Sequence, residues 1–199
     1  MATTTAGPGP ARILLPRAER RESILAGAAT AFAHTGFAAT SMDDLATECG
    51  VSKLILYRHF DGKTELYHAI LERVFERQVD EFLTLVAAEP GPGVAARSLL
   101  TVAREHPDGF RLLWRHAIRE QEFADYASQL RDIAVGAARE VVANLGIAAP
   151  YREWAAQTLY DNVVDSVLNW LDHGDPSRDD EFVELTTESL RAAALALVR

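Results

Sequence analysis

The sequence predicts an all-α chain: a helix-turn-helix unit near the N-terminus followed by a long helical body. Three observations carry this. Apolar residues recur at spacings of three and four through most of residues 17–198, without the alternation that a half-buried strand requires. Gly, Pro and Asn clusters at 89–93, 144–150 and 174–176 cut that pattern into helix-length pieces. The stretch 40–63, TSMDDLATECGVSKLILYRHFDGK, holds two short helical patterns on either side of a single glycine.

Residues 1–16, rich in Ala, Thr, Gly and Pro, read as a mobile tail. Arg12 and Arg17 are placed to reach phosphates or a minor groove, as N-terminal arms do, although a solvated tail explains them better. A first helix is expected from residue 16 or 17 to 34, with Ile24, Leu25, Ala28, Ala31 and Phe32 as its apolar stripe. Arg17, Arg20 and Arg21 near its start oppose the helix dipole, a weak pointer to an anionic partner. Gly36 suits a left-handed helix end, with Phe37 folding back.

In the hairpin, Thr40 or Ser41 caps a helix whose first turn carries Asp43 and Asp44, while Leu45, Ala46 and Cys49 share one face. Gly50 supplies a positive φ, Val51 plugs the joint, and Ser52 caps a second helix over 53–60. Leu56 and Phe60 face inward, which leaves Lys53, Leu54, Tyr57, Arg58 and His59 outside. Such a short polar, cationic face suits a major groove: Tyr57 and His59 donate to phosphates, and Arg58 pairs with phosphate or a guanine edge. Lys63, with the N–H groups opening the next helix, suits an anion site. On periodicity alone, an ordinary hairpin with a solvated basic face fits equally well.

Long helices follow at 63–88, 94–105, 108–118, 119–145, 151–173 and 182–198. Charge divides the chain. Residues 1–65 hold seven Lys/Arg and seven Asp/Glu, so the net −9 lies in residues 66–199, with 13 basic against 22 acidic residues. The N-terminal third is free to approach a polyanion, and the body repels one.

Residues 17–66 resemble the DNA-binding domain of the TetR family of bacterial transcriptional regulators. The resemblance is carried by Ala31-Phe32, Gly36-Phe37, Thr40-Ser41, Leu45-Ala46, Gly50-Val51-Ser52 and Leu56-Tyr57-Arg58-His59-Phe60, with Lys63 and Leu66. It implies a three-helix helix-turn-helix DNA-binding domain over 17–62 and a C-terminal helical ligand-binding and dimerisation domain over 63–199. It also implies a homodimer on a palindromic double-stranded operator, and usually repression relieved by a small molecule. By position, Ser41, Ser52, Tyr57, His59 and Lys63 would contact phosphates, and Lys53, Leu54 and Arg58 base edges. The chain departs from the family at Leu54-Ile55, where a small residue or Pro followed by Thr is common. A hydroxyl contact is lost there, and Leu54 offers an apolar partner for a thymine methyl.

In the body, the last two helices form a long amphipathic pair suited to a four-helix bundle with a second copy, or to closing a monomer core. Phe82, Phe110, Trp114, Phe123, Tyr126, Tyr160 and Trp170, with Arg119, Asp161, Asn162, Asp165 and Asn169 in the same register, are candidates for the wall of an apolar effector pocket. Taken singly, each aromatic is better explained as core and each polar residue as surface.

Other chemistry finds no motif: no His pair at metal-ligand spacing, no phosphate-binding loop, no nucleophile elbow, and no cofactor signature. A lone Cys49 allows no intrachain disulfide, and no signal peptide or membrane-length apolar run is visible, so a cytoplasmic, non-enzymatic protein is expected. Buried packing accounts for Cys49 better than a redox switch does. Two rival readings are an all-helical enzyme or ligand carrier with an incidental basic hairpin, and a regulator without an effector.

Overall fold

The computed structural model describes residues 16–196, and all regular structure among them is helical. The expected tail, with Arg12, and the last turn with Leu197 and Val198 lie outside the described residues.

Helix α1, Arg17–Thr35, buries Ile24, Leu25, Ala28, Ala31 and Phe32, the stripe read from spacing. It ends at Gly36, whose φ is +83° but whose ψ is 156°, so the glycine is needed although the turn is not the expected left-handed helical one. Phe37 folds back against Phe32, ring centroids 5.8 Å apart. Helix α2, Met42–Glu48, opens with a reciprocal cap: Ser41 Oγ accepts from the Asp44 N–H, and Asp44 accepts from the Ser41 N–H. Gly50 (φ +63°) makes the turn, and Ser52 Oγ accepts from the Ile55 N–H at the start of α3, Lys53–Tyr57. Helix α3 is shorter than the 53–60 expected. The carbonyl of Leu56 accepts from both His59 and Phe60, tightening the chain so that Phe60 drops into the core.

Helix α4, Lys63–Ala88, runs from this unit through the body. Helices α5 (Val94–Glu105), α6 (Pro107–Arg111), α7 (Ala124–Asn144), α8 (Arg152–His173) and α9 (Asp179–Ala196) complete the chain. Helix α5 packs on α4, α8 and α9, and α7 lies along α8. The expected helix 108–118 is broken up, with α6 passing into a wide π turn at Leu112–His116 and a tight turn at Ala117–Arg119. The expected helix 119–145 begins only at Ala124, because Phe123 leaves the helical path to join an aromatic cluster. Its ring lies 4.2 Å from Tyr67 and 4.7 Å from Phe37.

That cluster and a few polar ties join the N-terminal three-helix unit to the body. Thr30 Oγ1 donates to Asp108 Oδ2 (2.8 Å), and Arg73 pairs with Glu22 (2.9 Å). Gly109 brings α6 close to α4, since a Cβ there would lie 2.8 Å from Val74 Cγ2. One continuous apolar core runs through both parts.

Candidate nucleic-acid interface and body cavity

The hairpin presents a compact outward face. Leu56 and Phe60 are buried, while Leu54 is 65% and Tyr57 46% exposed beside an exposed Arg58. Lys53 is also exposed but holds Asp43 at 2.9 Å, so binding an anion there means exchanging that ion pair. Ser41 and Ser52 are exposed, with their hydroxyls engaged in the caps.

His59 is half-buried against the start of α1. Arg17, Arg20, Ile55, Arg58 and His59 line a cleft of about 210 Å³. Burial, with the guanidinium groups of Arg17, Arg20 and Arg21 nearby, holds its imidazole below the ordinary 6.5. A phosphate in that cleft would reverse the electrostatic part of this effect. The arginines that oppose the α1 dipole therefore gather around one residue of the hairpin, an arrangement that spacing within a single helix did not reveal.

Lys63 departs from its expected place in an anion site. Its ammonium donates to the carbonyls of Phe37 (2.9 Å), Thr40 (3.1 Å) and Ala38 (3.2 Å), and lies 4.5 Å from the centre of the Phe37 ring. Three donors meet three acceptors. The side chain is a strap holding the 36–41 turn onto α4, not a free cation. Cys49 is half-buried, with Sγ 3.4 Å from the Ile24 carbonyl, and burial with Glu48 nearby pushes its thiol up to about 11. It stays protonated at neutral pH and is a packing residue.

In the body, α4, α5, α7, α8 and α9 line an open-sided cavity of about 590 Å³, within the roughly 300–1,000 Å³ typical of small-molecule sites. Its wall is almost wholly apolar, from Phe75, Val79, Phe82, Leu83 and Val86 of α4 to Ile133 and Val141 of α7. Of the candidates named from sequence, Phe82 and Tyr160 line it and the rest do not. Phe110 and Phe123 are core, the latter in the cluster that joins the two parts. Trp114 stands behind the wall, against Phe75 and Tyr160. Tyr126 packs on His68, and Trp170 stacks on Phe182. Asp161 pairs with Arg131, while Arg119, Asn162, Asp165 and Asn169 face solvent. Aromatic residues mark buried surface, but here most of that surface meets other protein. The cavity is walled instead mostly by aliphatic residues, with Gln78, Ser98, Thr187 and Arg191 among them, which periodicity gives no reason to choose.

Among the described residues, no group of His, Cys, Asp and Glu is arranged to hold a metal, and no helix is long and apolar enough to cross a membrane.

Comparison with known proteins agrees with this arrangement. Residues 24–70 match the profile described as "Bacterial regulatory proteins, tetR family". The chain is 29% identical over 180 residues to the HTH-type transcriptional activator FasR of Mycolicibacterium smegmatis, spanning 87% of this chain and 82% of that one. It is 31% identical over 101 residues to the HTH-type transcriptional repressor KstR2 of Rhodococcus jostii, about half of each chain. The crystal structure of a TetR-like transcriptional regulator from Rhodococcus sp. RHA1 superposes with a TM-score of 0.74 at 25% identity, covering 92% of this chain and 99% of that one. The match thus extends from the hairpin through the helical body. Residues 24–70 thus carry the DNA-binding domain of the TetR family, and the chain as a whole is similar to bacterial helix-turn-helix transcriptional regulators of that family, which are DNA-binding proteins and not enzymes.

Proposed function

We propose that this regulator is a homodimeric repressor that binds a palindromic operator through residues 17–62 and releases it when a small, largely apolar effector enters the body, residues 63–199. The observation that carries this reading is α4. One helix starts at the strap under the hairpin and supplies Phe75, Val79, Phe82 and Val86 to the cavity wall. An effector that favours one position of α4 biases the placing of the two reading helices, and only that difference in affinity does work.

On the DNA, Leu54 and Arg58 address base edges, Lys53 does so after leaving Asp43, and Tyr57, His59, Ser41 and Ser52 address phosphates. Lys63 acts by holding the turn. The −9 body lies away from the duplex. The dimer forms through α8 and α9, where Trp154, Leu185 and Leu195, with Tyr151 just before α8, are each more than half exposed in the single chain. Two reading helices about 34–36 Å apart then match half-sites one turn apart.

Selection of bound fragments from random DNA tests the first step. A palindromic consensus whose affinity falls steeply with salt is expected. Asymmetric sites, or a monomer by sedimentation at concentrations that saturate the operator, would remove the dimer reading. The sign of regulation has a second reading, since the relative aligned over most of the chain is named an activator. Transcription from the selected site, with and without the protein, separates the two.

A further inference from the structure

The cavity wall carries polar atoms that the fold leaves unpaired. Gln78 is 7% and Tyr160 9% exposed, and both line the cavity. Gln78 Oε1 and the Tyr160 hydroxyl have no hydrogen-bond partner, and neither does the buried Trp114 Nε1 behind them. The direction of the Gln78 amide follows from its neighbour. Ser98 Oγ donates its single proton to the Ala95 carbonyl (3.1 Å), so toward Gln78 (3.2 Å) it can only accept. The amide nitrogen therefore faces Ser98, and the carbonyl oxygen is left as a pure acceptor just beneath the wall, covered, like the Tyr160 hydroxyl, by neighbouring atoms. A buried acceptor without a donor costs roughly 1–3 kcal/mol, a cost that an occupant removes if it brings a proton.

Charge narrows the occupant further. The wall holds no Asp, Glu, Lys or His, and its one charged residue, Arg191, is exposed. An ammonium group would find no counter-ion, and a carboxylate would bring no proton to Gln78 and lose its hydration. A hydroxyl carries the needed proton without charge.

Resting on the effector reading above and deepening it, we propose that the cavity takes a neutral hydroxylated hydrocarbon that parts the side chains covering these atoms, its hydroxyl donating to Gln78 Oε1 while a ligand oxygen accepts from the Tyr160 hydroxyl. The aliphatic wall takes the hydrocarbon part, and Trp114 stiffens the polar end by packing edge-on against Tyr160, 5.8 Å between ring centroids.

Calorimetric titration of the full chain with decanol, its isomer methyl nonyl ether, and decanoate tests the assignment. The ether keeps the oxygen and the apolar bulk but lacks the proton. Decanol is expected to bind at least about tenfold more tightly than the ether and than decanoate. In Gln78→Leu the preference for decanol over the ether should shrink to about twofold, and Tyr160→Phe should weaken both. Equal binding of alcohol and ether by the unmodified chain would mean that water already serves Gln78, and the assignment fails. Tighter binding of decanoate would overturn it in favour of an anionic ligand held by Arg191. These comparisons need no variant to fold. Operator affinity with decanol bound is a separate readout. Decanol that binds without changing it sinks the effector reading and leaves the ligand assignment standing. An apolar compound that releases the operator where decanol does not bind sinks the assignment alone.

Discussion

The hairpin and the cavity solve opposite problems with similar residues. In the hairpin, polar groups are satisfied locally: Ser41 with Asp44, Ser52 with Ile55, Lys53 with Asp43, and Lys63 with three carbonyls. What remains exposed are apolar and cationic side chains, Leu54, Tyr57 and Arg58. In the cavity, apolar groups face inward from five helices, and the polar atoms, Gln78 Oε1 and the Tyr160 hydroxyl, are the unsatisfied ones. The first is a finished surface that waits for a partner to cover it. The second is an unfinished interior that a partner would complete. The contrast assigns rigidity to the reader and adjustability to the receptor, and substitutions that exchange these characters test it.

The largest effect is expected at Leu56, the buried counterpart of exposed Leu54. Leu56→Ala should destabilise the fold by about 2–5 kcal/mol, read by denaturant unfolding, because it empties space that neighbours cannot fill. A loss below about 1 kcal/mol would mean that the hairpin core is looser than described. Lys63→Met comes next. It leaves three carbonyls without their donor, and should lower stability by about 1.5–3 kcal/mol while leaving the salt slope of DNA binding nearly unchanged. A slope reduced by about one with no loss of stability would return Lys63 to the phosphate role expected from sequence.

Tyr57→Phe should weaken operator binding by about fivefold, one neutral hydrogen bond of about 1 kcal/mol, without altering stability. Leu54→Ala is a smaller perturbation still. Stability and overall affinity should hold, and the consensus from fragment selection should change at the position Leu54 meets. A uniform loss on all sequences would show that Leu54 reads nothing.

The smallest effect concerns His59. Its folded value lies below 6.5, so as pH falls through 6.5 the unfolded chain takes up a proton that the folded chain resists. The contribution to stability is present above that range and declines as pH drops toward the folded value. A proton NMR titration should place the His59 midpoint below 6.5, moving upward when operator is bound. A midpoint indifferent to DNA would place the phosphate elsewhere.

The two regions also differ in how much of them could be read in advance. Caps such as Ser41–Asp44 span three residues, and Gly50 with Val51 sets its turn from adjacent positions, so the hairpin was legible. So were the buried stripe of α1 and the helical class throughout. The strap at Lys63 was not legible, because charge suggests an outward group, while its acceptors lie 23 to 26 positions back. The cavity was legible only as an expectation that one exists. Its wall draws on residues from Phe75 to Ala194, and periodicity marks a helix face as apolar without saying whether protein or empty space lies opposite. Phe110 and Phe123 met protein, whereas Val79 and Ile133 met the void. The late start of α7 at Ala124 has a similar cause, a long-range aromatic contact overriding local helical spacing.

The close approach of Gly109 to Val74 has a mechanical consequence. At 1.5 Å per residue, α4 is about 39 Å long, and Val74 stands about 17 Å from Lys63 at one end and about 18 Å from Val86 at the other. The contact divides the helix as a pivot divides a seesaw with equal arms. A tilt about that point delivers to the strap beneath the hairpin a displacement nearly equal to, and opposite from, the one imposed at the cavity, with neither gain nor loss.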